Sequence, residues 1–581
     1  MRSGTKRLTG LIAIAAAGLM VVSACSTKSP NGGGNTLTWK DCVQHPNDCN
    51  SGPTKQGGTM LVTDEKKITS WFVADAASNT YDQAQIMSGL IPSPFIVRPD
   101  SSVVLNTDLM DSATLVSSNP QKVEFKIKAN AVWNDGTPIT GDDFKFAWKF
   151  QDGKDCSATD CPVAGTTGYD TISDMTTTDN GKTVDVTWSS VYPDWRALFG
   201  LWPSKVATQY AGGDLYAPGG LAKAYKGFLN EAQPAWSGGP YVMQNYTKDV
   251  STTLVPNPKW YGKDKPSLEK IIYKIILDST QEVDALKNGE INVSTAQPDS
   301  DMVAAVAALP NTSYNLSAGP TWEHIDLNLK NKWLGDTALR QAIFTAIDRK
   351  DIIAKTVLPF FPTAVPLNNH NYMPNMSGYT DNITATGQGA GDLAKARSIL
   401  ETAGYTGDQP GQHLTTKDGQ QVGQLRFSYT QTNKLRETTA ELVQASLKNL
   451  GIDVKLTPLP DLSVLGSGDF DMIVFAWVGT PFLSGNKDLW STDGGGNYGH
   501  YSNTTVDEDL KKAATDTDAT QQATDFNAAD QLMSQDAYVL PLYQKPVFIA
   551  VSNQFVNIRN NPTSAGPAYN MQQWGERASA Q

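Results

Sequence analysis

The sequence predicts an α/β protein of two large lobes, and three observations carry that expectation. The chain has 581 residues, beyond the length at which a single hydrophobic core stops growing. Strand-like and helix-like signals alternate along it instead of separating into blocks. With 40% apolar and 18% charged residues, 48 Gly, 32 Pro and five Cys, the composition suits ample cores and excludes a disordered chain, a collagen, a polytopic membrane protein or a cysteine-rich miniprotein. Acidic residues (59) outnumber basic ones (47), giving a net charge of −12, which argues against a nucleic-acid partner because phosphates call for a basic face.

Residues 1–24 read as an export signal. Arg2, Lys6 and Arg7 form a basic start, and Leu11 to Val22 an apolar run of about a dozen residues, too short for a permanent membrane span. Val22-Ser23-Ala24-Cys25 resembles a bacterial lipobox, cut before Cys25 so that its thiol takes a diacylglyceryl group. The alternative is ordinary secretory cleavage with Cys25 merely nearby. Two or three lipid chains, at about 0.8 kcal/mol per buried CH2, would hold the mature protein outside the cytoplasm, on the outer leaflet of the cytoplasmic membrane.

The other four cysteines form two close pairs, Cys42 with Cys49 and Cys156 with Cys161. In an exported chain these read as local disulfides; the spacings do not match a zinc ribbon. Loops this short contribute about 2 to 2.5 kcal/mol each. Residues 25–56, rich in Ser, Asn, Gly, Thr and Pro, are expected as a lipidated flexible tether, and the globule begins near Gly57-Gly58. Thr59 to Val62 is strand-like, and Lys122 to Ile127 alternates with period two. Asn134-Asp135-Gly136 is a turn, and Thr140-Gly141-Asp142-Asp143 starts a helix. Asp336 can cap a helix carrying Leu339, Ile343 and Ile347, with Ile353 continuing the same face. Leu435, Leu442, Val443, Leu447 and Leu450 outline another, stopped by Gly451 and followed by a strand from Ile452 to Leu456.

In this order the segments resemble the extracellular solute-binding proteins, family 5, of the peptide, opine and nickel ABC importers. Val132-Trp133-Asn134-Asp135-Gly136-Thr137-Pro138-Ile139-Thr140-Gly141-Asp142-Asp143 is similar to the family's W-x-D-G-x-P-x-T-A-x-D segment, with Gly141 where Ala is usual. Ser237 to Tyr241 resembles its G-T-G-P-Y turn, and Asn257-Pro258 through Trp260-Tyr261 its N-P-x-Y-W stretch with the aromatics transposed. Ala285 to Asn292 resembles A-L-x-x-G-E-I-D, and Leu339 to Arg349 resembles R-x-A-x-x-x-A-I-D-R. Each piece is weak alone; five in the family's order behind a lipobox are specific. The resemblance implies a periplasmic-binding-protein-like fold (type II, cluster C), with lobe one at 57–278 and 541–581, an extra subdomain at about 82–195, and lobe two at 279–540. It also implies a non-enzymatic importer receptor that closes by a hinge over an oligopeptide and presents it to an ABC permease and ATPase complex. No cofactor and no metal site are expected, and the protein is expected to be a monomer.

Within that resemblance, Gly468-Asp469-Phe470-Asp471 leading to Ala476-Trp477-Val478-Gly479-Thr480 is similar to the family's F-D-x-x-x-x-x-W-x-x-D strand and cleft loop. Thr480 stands where peptide-binding members carry the Asp that pairs with the peptide ammonium. Either another acid such as Asp488 or Asp493 substitutes, or the ligand has no free amino terminus there. The expected ligand-binding residues are Trp477, Val478, Gly479, Thr480, Asn497, Tyr498, Trp322 and Asn328, supplying aromatic walls, amides and backbone partners; for each aromatic the competing reading is core packing.

Trp133 to Gly136 reads as a structural turn. The five histidines, His45, His324, His370, His413 and His500, form no metal motif, His370 being structural or cleft-lining. No nucleophile elbow or phosphate loop marks an enzyme. A secreted hydrolase, a peptide-signal receptor, and the same fold binding a nickel complex, heme or an oligosaccharide remain the alternatives.

Overall fold

The computed structural model describes residues 38–578 apart from Asn375 and Pro562; the export segment and Cys25 lie outside the described residues. Both local cysteine pairs are bonded, Cys42–Cys49 and Cys156–Cys161. Residues 38–56, expected as part of a tether, pack against the C-terminal return of the chain. Asn50 is 3% exposed and donates to the Ile558 carbonyl, Arg559 Nε donates to the Cys49 carbonyl, and Lys55 N donates to the Glu576 carbonyl. Composition alone hid this, because the anchoring is by backbone and amide groups, which polar loops and packed loops share.

β1 (Thr59–Asp64) is followed by a hairpin of β2 (Phe95–Val97) and β3 (Val103–Leu105). A four-stranded antiparallel sheet then forms from β4 (Met110–Ser118), β5 (Gln121–Ile127), β6 (Ile172–Thr178) and β7 (Thr183–Trp188), in the order β4-β5-β7-β6. β5 is the period-two run, its alternate residues buried as the pattern requires. β8 (Tyr241–Thr247), β9 (Ser251–Pro256) and β10 (Lys270–Ile275) return the chain beside β1. With β11 (Val293–Ser294), β12 (Thr312–Leu327), β13 (Leu425–Thr430), β14 (Val454–Leu459), β15 (Met472–Trp477) and β16 (Val539–Ser552) they complete a ten-stranded mixed sheet. Its order is β14-β13-β15-β12-β16-β11-β1-β10-β9-β8.

β12 and β16 are the long antiparallel pair that joins the two halves. Their register breaks between Ala318, opposite Pro546, and Trp322, opposite Gln544; across the break Gln544 Nε2 donates to the Gly319 carbonyl at 2.6 Å. The cores divide at the same place. One gathers Met60 to Val293 with Ile549, Val551 and Phe555, while two others take residues between Trp322 and Tyr543. The helices Ser279–Asn288 and Ser300–Ala307, expected at the start of lobe two, flank β11. β11 pairs with β1 through Val293 and Val62, and their small core closes on Phe548 and Ala550, on the β1 side of the break.

The family-like segments have local physical reasons. Thr140 accepts from Asp142 N, and Asp143 accepts from Thr140 N, Trp133 Nε1 and Ser204 N, so one buried carboxylate ties a helix cap, a turn and a distant helix start. Gly141 replaces the family's Ala because a Cβ there would lie 2.2 Å from Thr177 Cγ2. The helix capped by Asp336 ends at Ala346, short of the expected extension through Ile353. Asp348 accepts from Lys350 N and Asp351 N and starts a second helix, Arg349–Lys355, because a cap side chain competes with continuation of the first helix.

Candidate functional site

β15 is buried from Met472 to Phe475 and surfaces at Trp477, whose position at the strand end follows from the apolar run before it. Opposite it on β12 stands Trp322. The Trp477 ring stacks on Tyr498, with centroids 5.7 Å apart and planes at 16°, and lies parallel to His324 at 6.1 Å. Its Nε1, though buried, makes no hydrogen bond within the described residues. Trp477 and Tyr498 thus form one stacked aromatic pair, with the indole N–H buried and unpartnered among the described residues.

Val478 and Gly479 continue from this wall half-buried, and Thr480 is exposed. The Thr480 hydroxyl accepts from Phe482 N at 3.0 Å and donates to the Phe482 carbonyl at 3.1 Å, so it closes a local turn. Three other expected ligand-binding residues are engaged inside the lobe. Trp322 is 3% exposed and packs among His324, His370 and Trp490. Asn328 donates to the carbonyls of Gly468 and Phe470 and accepts from Lys330 N. Asn497 donates to the Ser491 and Tyr501 carbonyls and accepts from Tyr501 N and Tyr538 OH. Each amide has its capacity spent on strand ends and turns. A sequence distinguishes an aromatic at a strand end from one in its middle only through register, and the register of β12 is broken just before Trp322.

Sequence reading missed the charged groups at the crossing. Glu323 on β12 is held by Arg436, with Nη2 at 2.9 Å and Nε at 3.2 Å, and both side chains are buried, 4% and 9% exposed. Burial disfavours the Glu323 charge, yet the Arg436 guanidinium outweighs it and holds the carboxyl below its ordinary value. Lys545 on β16 lies 3.8 Å from the same carboxylate; burial first, against the pull of Glu323, takes its ammonium down to about 8. Across the break, Glu65, just past β1, accepts from Gln297 N at 2.8 Å, and its charge also acts on Lys545. The available signal was acidic residues inside an otherwise apolar strand, Trp322-Glu323-His324-Ile325-Asp326-Leu327.

His370 is buried between Asp530, 2.7 Å from Nδ1, and the Val539 carbonyl, 2.9 Å from Nε2. Both nitrogens face acceptors, so both carry protons; burial opposes the charge and Asp530 overcomes it, raising the pKa. His370 is structural. Among the described residues no group of three or more His, Cys, Asp or Glu could hold a metal ion, and no helix is long and apolar enough to cross a membrane.

Residues of the β4–β7 region touch the segment after Trp477. Ser484 N donates to Asp194 Oδ2 at 2.8 Å, Thr167 N donates to Asp488 Oδ2 at 3.2 Å, and Lys487 lies 3.8 Å from Asp170. The Asp488 carboxylate, a candidate substitute for the missing ammonium-reading acid, is therefore turned to the other half of the molecule; Asp493 is exposed.

The model of the family described as bacterial extracellular solute-binding proteins, family 5 Middle, matches residues 105–500. The chain belongs to that family. The oligopeptide-binding protein OppA of Mycobacterium tuberculosis is 28% identical to this family 5 protein over 513 residues, 87% of this chain and 82% of OppA. Among solved structures, the periplasmic EDTA-binding protein EppA is 34% identical with a TM-score of 0.84, covering 92% of this chain and 99% of its own. The oligopeptide-binding protein AppA of Bacillus subtilis, solved with a nonapeptide, superposes with a TM-score of 0.78 at 22% identity over 90% of this chain and 100% of its own. The fold is that of the type II periplasmic binding proteins, as the segments implied.

Proposed function

We propose that this family 5 solute-binding protein captures oligopeptides between two lobes and delivers them to an ABC permease and ATPase complex, held at the outer leaflet of the cytoplasmic membrane through Cys25. The observation that carries the reading is the relation to OppA over most of both chains, joined to an aromatic wall, Trp477 with Tyr498, at the end of a lobe-two strand. On this reading the lobes meet at the β12–β16 break, so lobe one extends to about Ala318 and resumes at about Pro546, later than the 279 and 541 of the sequence expectation. Closure is a hinge about those two strands, and a ligand favours it only by touching both lobes. Val478, Gly479 and Thr480 line the way in from the wall; Trp322, Asn328 and Asn497 support it from behind.

A second reading has its own observation. EppA, at 34% identity, is a periplasmic EDTA-binding protein, and this chain has Thr480 where an ammonium-reading acid is expected and the cation Lys545 at the crossing. The test is mass spectrometry of what is released on denaturing the mature protein produced without Cys25. A ladder of short peptides is expected; a single non-peptide mass, such as a metal–chelate complex, overturns the peptide reading. With peptides in hand, acetylating the amino terminus is expected to change affinity less than threefold, because Thr480 offers no charge to the ammonium. A loss of tenfold or more in a calorimetric titration would place an acid against that terminus.

A further inference from the structure

We propose that the segment 162–170, which leaves the Cys156–Cys161 disulfide, together with Asp194 is one half of a latch across the cleft mouth, whose other half is the segment 484–496, and that this latch governs release of the ligand without touching it. The inference rests on the closure reading above and adds the parts that fasten it.

The segment after the disulfide is pinned at both ends. Beyond Cys161, Ala76 N donates to the Pro162 carbonyl, Ala164 N to the Ala74 carbonyl, and Trp188 Nε1 to the Gly168 carbonyl. The disulfide stands directly before these anchors, with Cys156 and Cys161 4% and 1% exposed, and leaves Gly165 to Thr167 as a tip of fixed direction. The opposing segment is equally set. Gly496 N donates to the Asp488 carbonyl at 2.9 Å, and a Cβ on Gly494 would come within 2.3 Å of the same oxygen.

The two halves exchange hydrogen bonds reciprocally. An amide of the 162–170 segment, Thr167 N, donates to Asp488, while an amide of the opposing segment, Ser484 N, donates to Asp194, which follows β7 on the first half. Lys487 and Asp170 add an ion pair. Backbone amides on carboxylates make directional, charge-assisted bonds, and each bond here has its donor in one half and its acceptor in the other. Gly165 makes the approach possible: a Cβ there would lie 2.9 Å from Asp488 Oδ2, closer than side-chain carbons are found, so any larger residue must push the carboxylate off Thr167 N. Contacts formed only when the halves meet stabilise the closed state and slow its opening.

Hydrogen exchange on the full mature chain tests this, with a random pentapeptide library as the probe. The amides of Thr167 and Ser484 are expected to exchange slowly, and more slowly still with the library present. In Gly165→Val and in Asp488→Ala both amides are expected to exchange at least tenfold faster, with the β12 and β15 amides unchanged; Cys156→Ser with Cys161→Ser is expected to do the same. If Ser484 stays slow in Gly165→Val and Asp488→Ala, or if loss of the disulfide changes neither amide, the latch is wrong. Small-angle scattering separates this from failure of closure. A radius of gyration that falls with the library while both amides exchange freely removes the latch and keeps the hinge; no change in either removes the hinge as well.

Discussion

Replacing Trp477 with Ala is expected to weaken ligand binding about 30-fold, ~2 kcal/mol, the scale of a tryptophan at the centre of a recognition surface. The indole is half-buried, stacked on Tyr498 and parallel to His324. Its Nε1 is buried without a partner in the described residues, and it could donate to a ligand acceptor only if the cleft opens around it. Trp477→Phe keeps the stack and loses the donor, so it is expected to fall between, at several-fold. Because the ring only flanks the lobe-two clusters, the Ala variant is expected to melt within a few degrees of the parent. Titration of the eluted ligand into both variants, beside a thermal melt, is the measurement; an unchanged affinity would sink the role of Trp477. Trp322→Ala is the contrasting control, since a tryptophan 3% exposed leaves a cavity, and the expected loss is in stability, about 3 to 5 kcal/mol.

That contrast shows what the sequence could convey about the site. The end of an apolar strand is visible as the last residue of a hydrophobic run, so the place of Trp477 at the end of β15 is legible. Trp322 sits in a strand whose pairing breaks just before it, and a register break leaves no mark in a single sequence. Asn328 and Asn497 have the amides a peptide needs, and strand ends and turns need the same amides; only the carbonyls facing them decide. Helix starts at Thr140 and Asp336 and the alternation of β5 were legible because each rests on residues a few positions apart. The core that helices Ser279–Asn288 and Ser300–Ala307 join was not, since they obey the same periodicity whichever core it is. Glu323 and Arg436 are separated by 113 residues, and nothing local pairs them.

Replacing Arg436 with Met is expected to destabilise the protein by about 3 kcal/mol at neutral pH, because it leaves the buried Glu323 carboxylate with Lys545 alone and without its guanidinium hydrogen bonds. The sign of the pH dependence distinguishes this from lost packing. In the parent the Glu323 pKa lies below its ordinary 4.5, so the pair's contribution is present above that value and is lost as pH falls through the folded-state pKa. In the variant the buried carboxyl keeps only Lys545, 3.8 Å away, so its pKa is expected to rise, and its cost at neutral pH is relieved on acidification as it takes up a proton. The difference between parent and variant in denaturant unfolding is therefore expected to shrink steadily from pH 7 to about pH 4; a difference constant with pH would assign the loss to packing of the Arg436 stem. Glu323→Leu together with Arg436→Met is expected to recover most of the stability while leaving Lys545 facing Glu65 alone. Because Glu323 and Lys545 lie on the two strands that cross between the halves, that double variant should fold well yet move the balance between open and closed forms, which small-angle scattering without ligand would detect. Stability restored with an unaltered radius of gyration would confine the charges at the crossing to holding the fold.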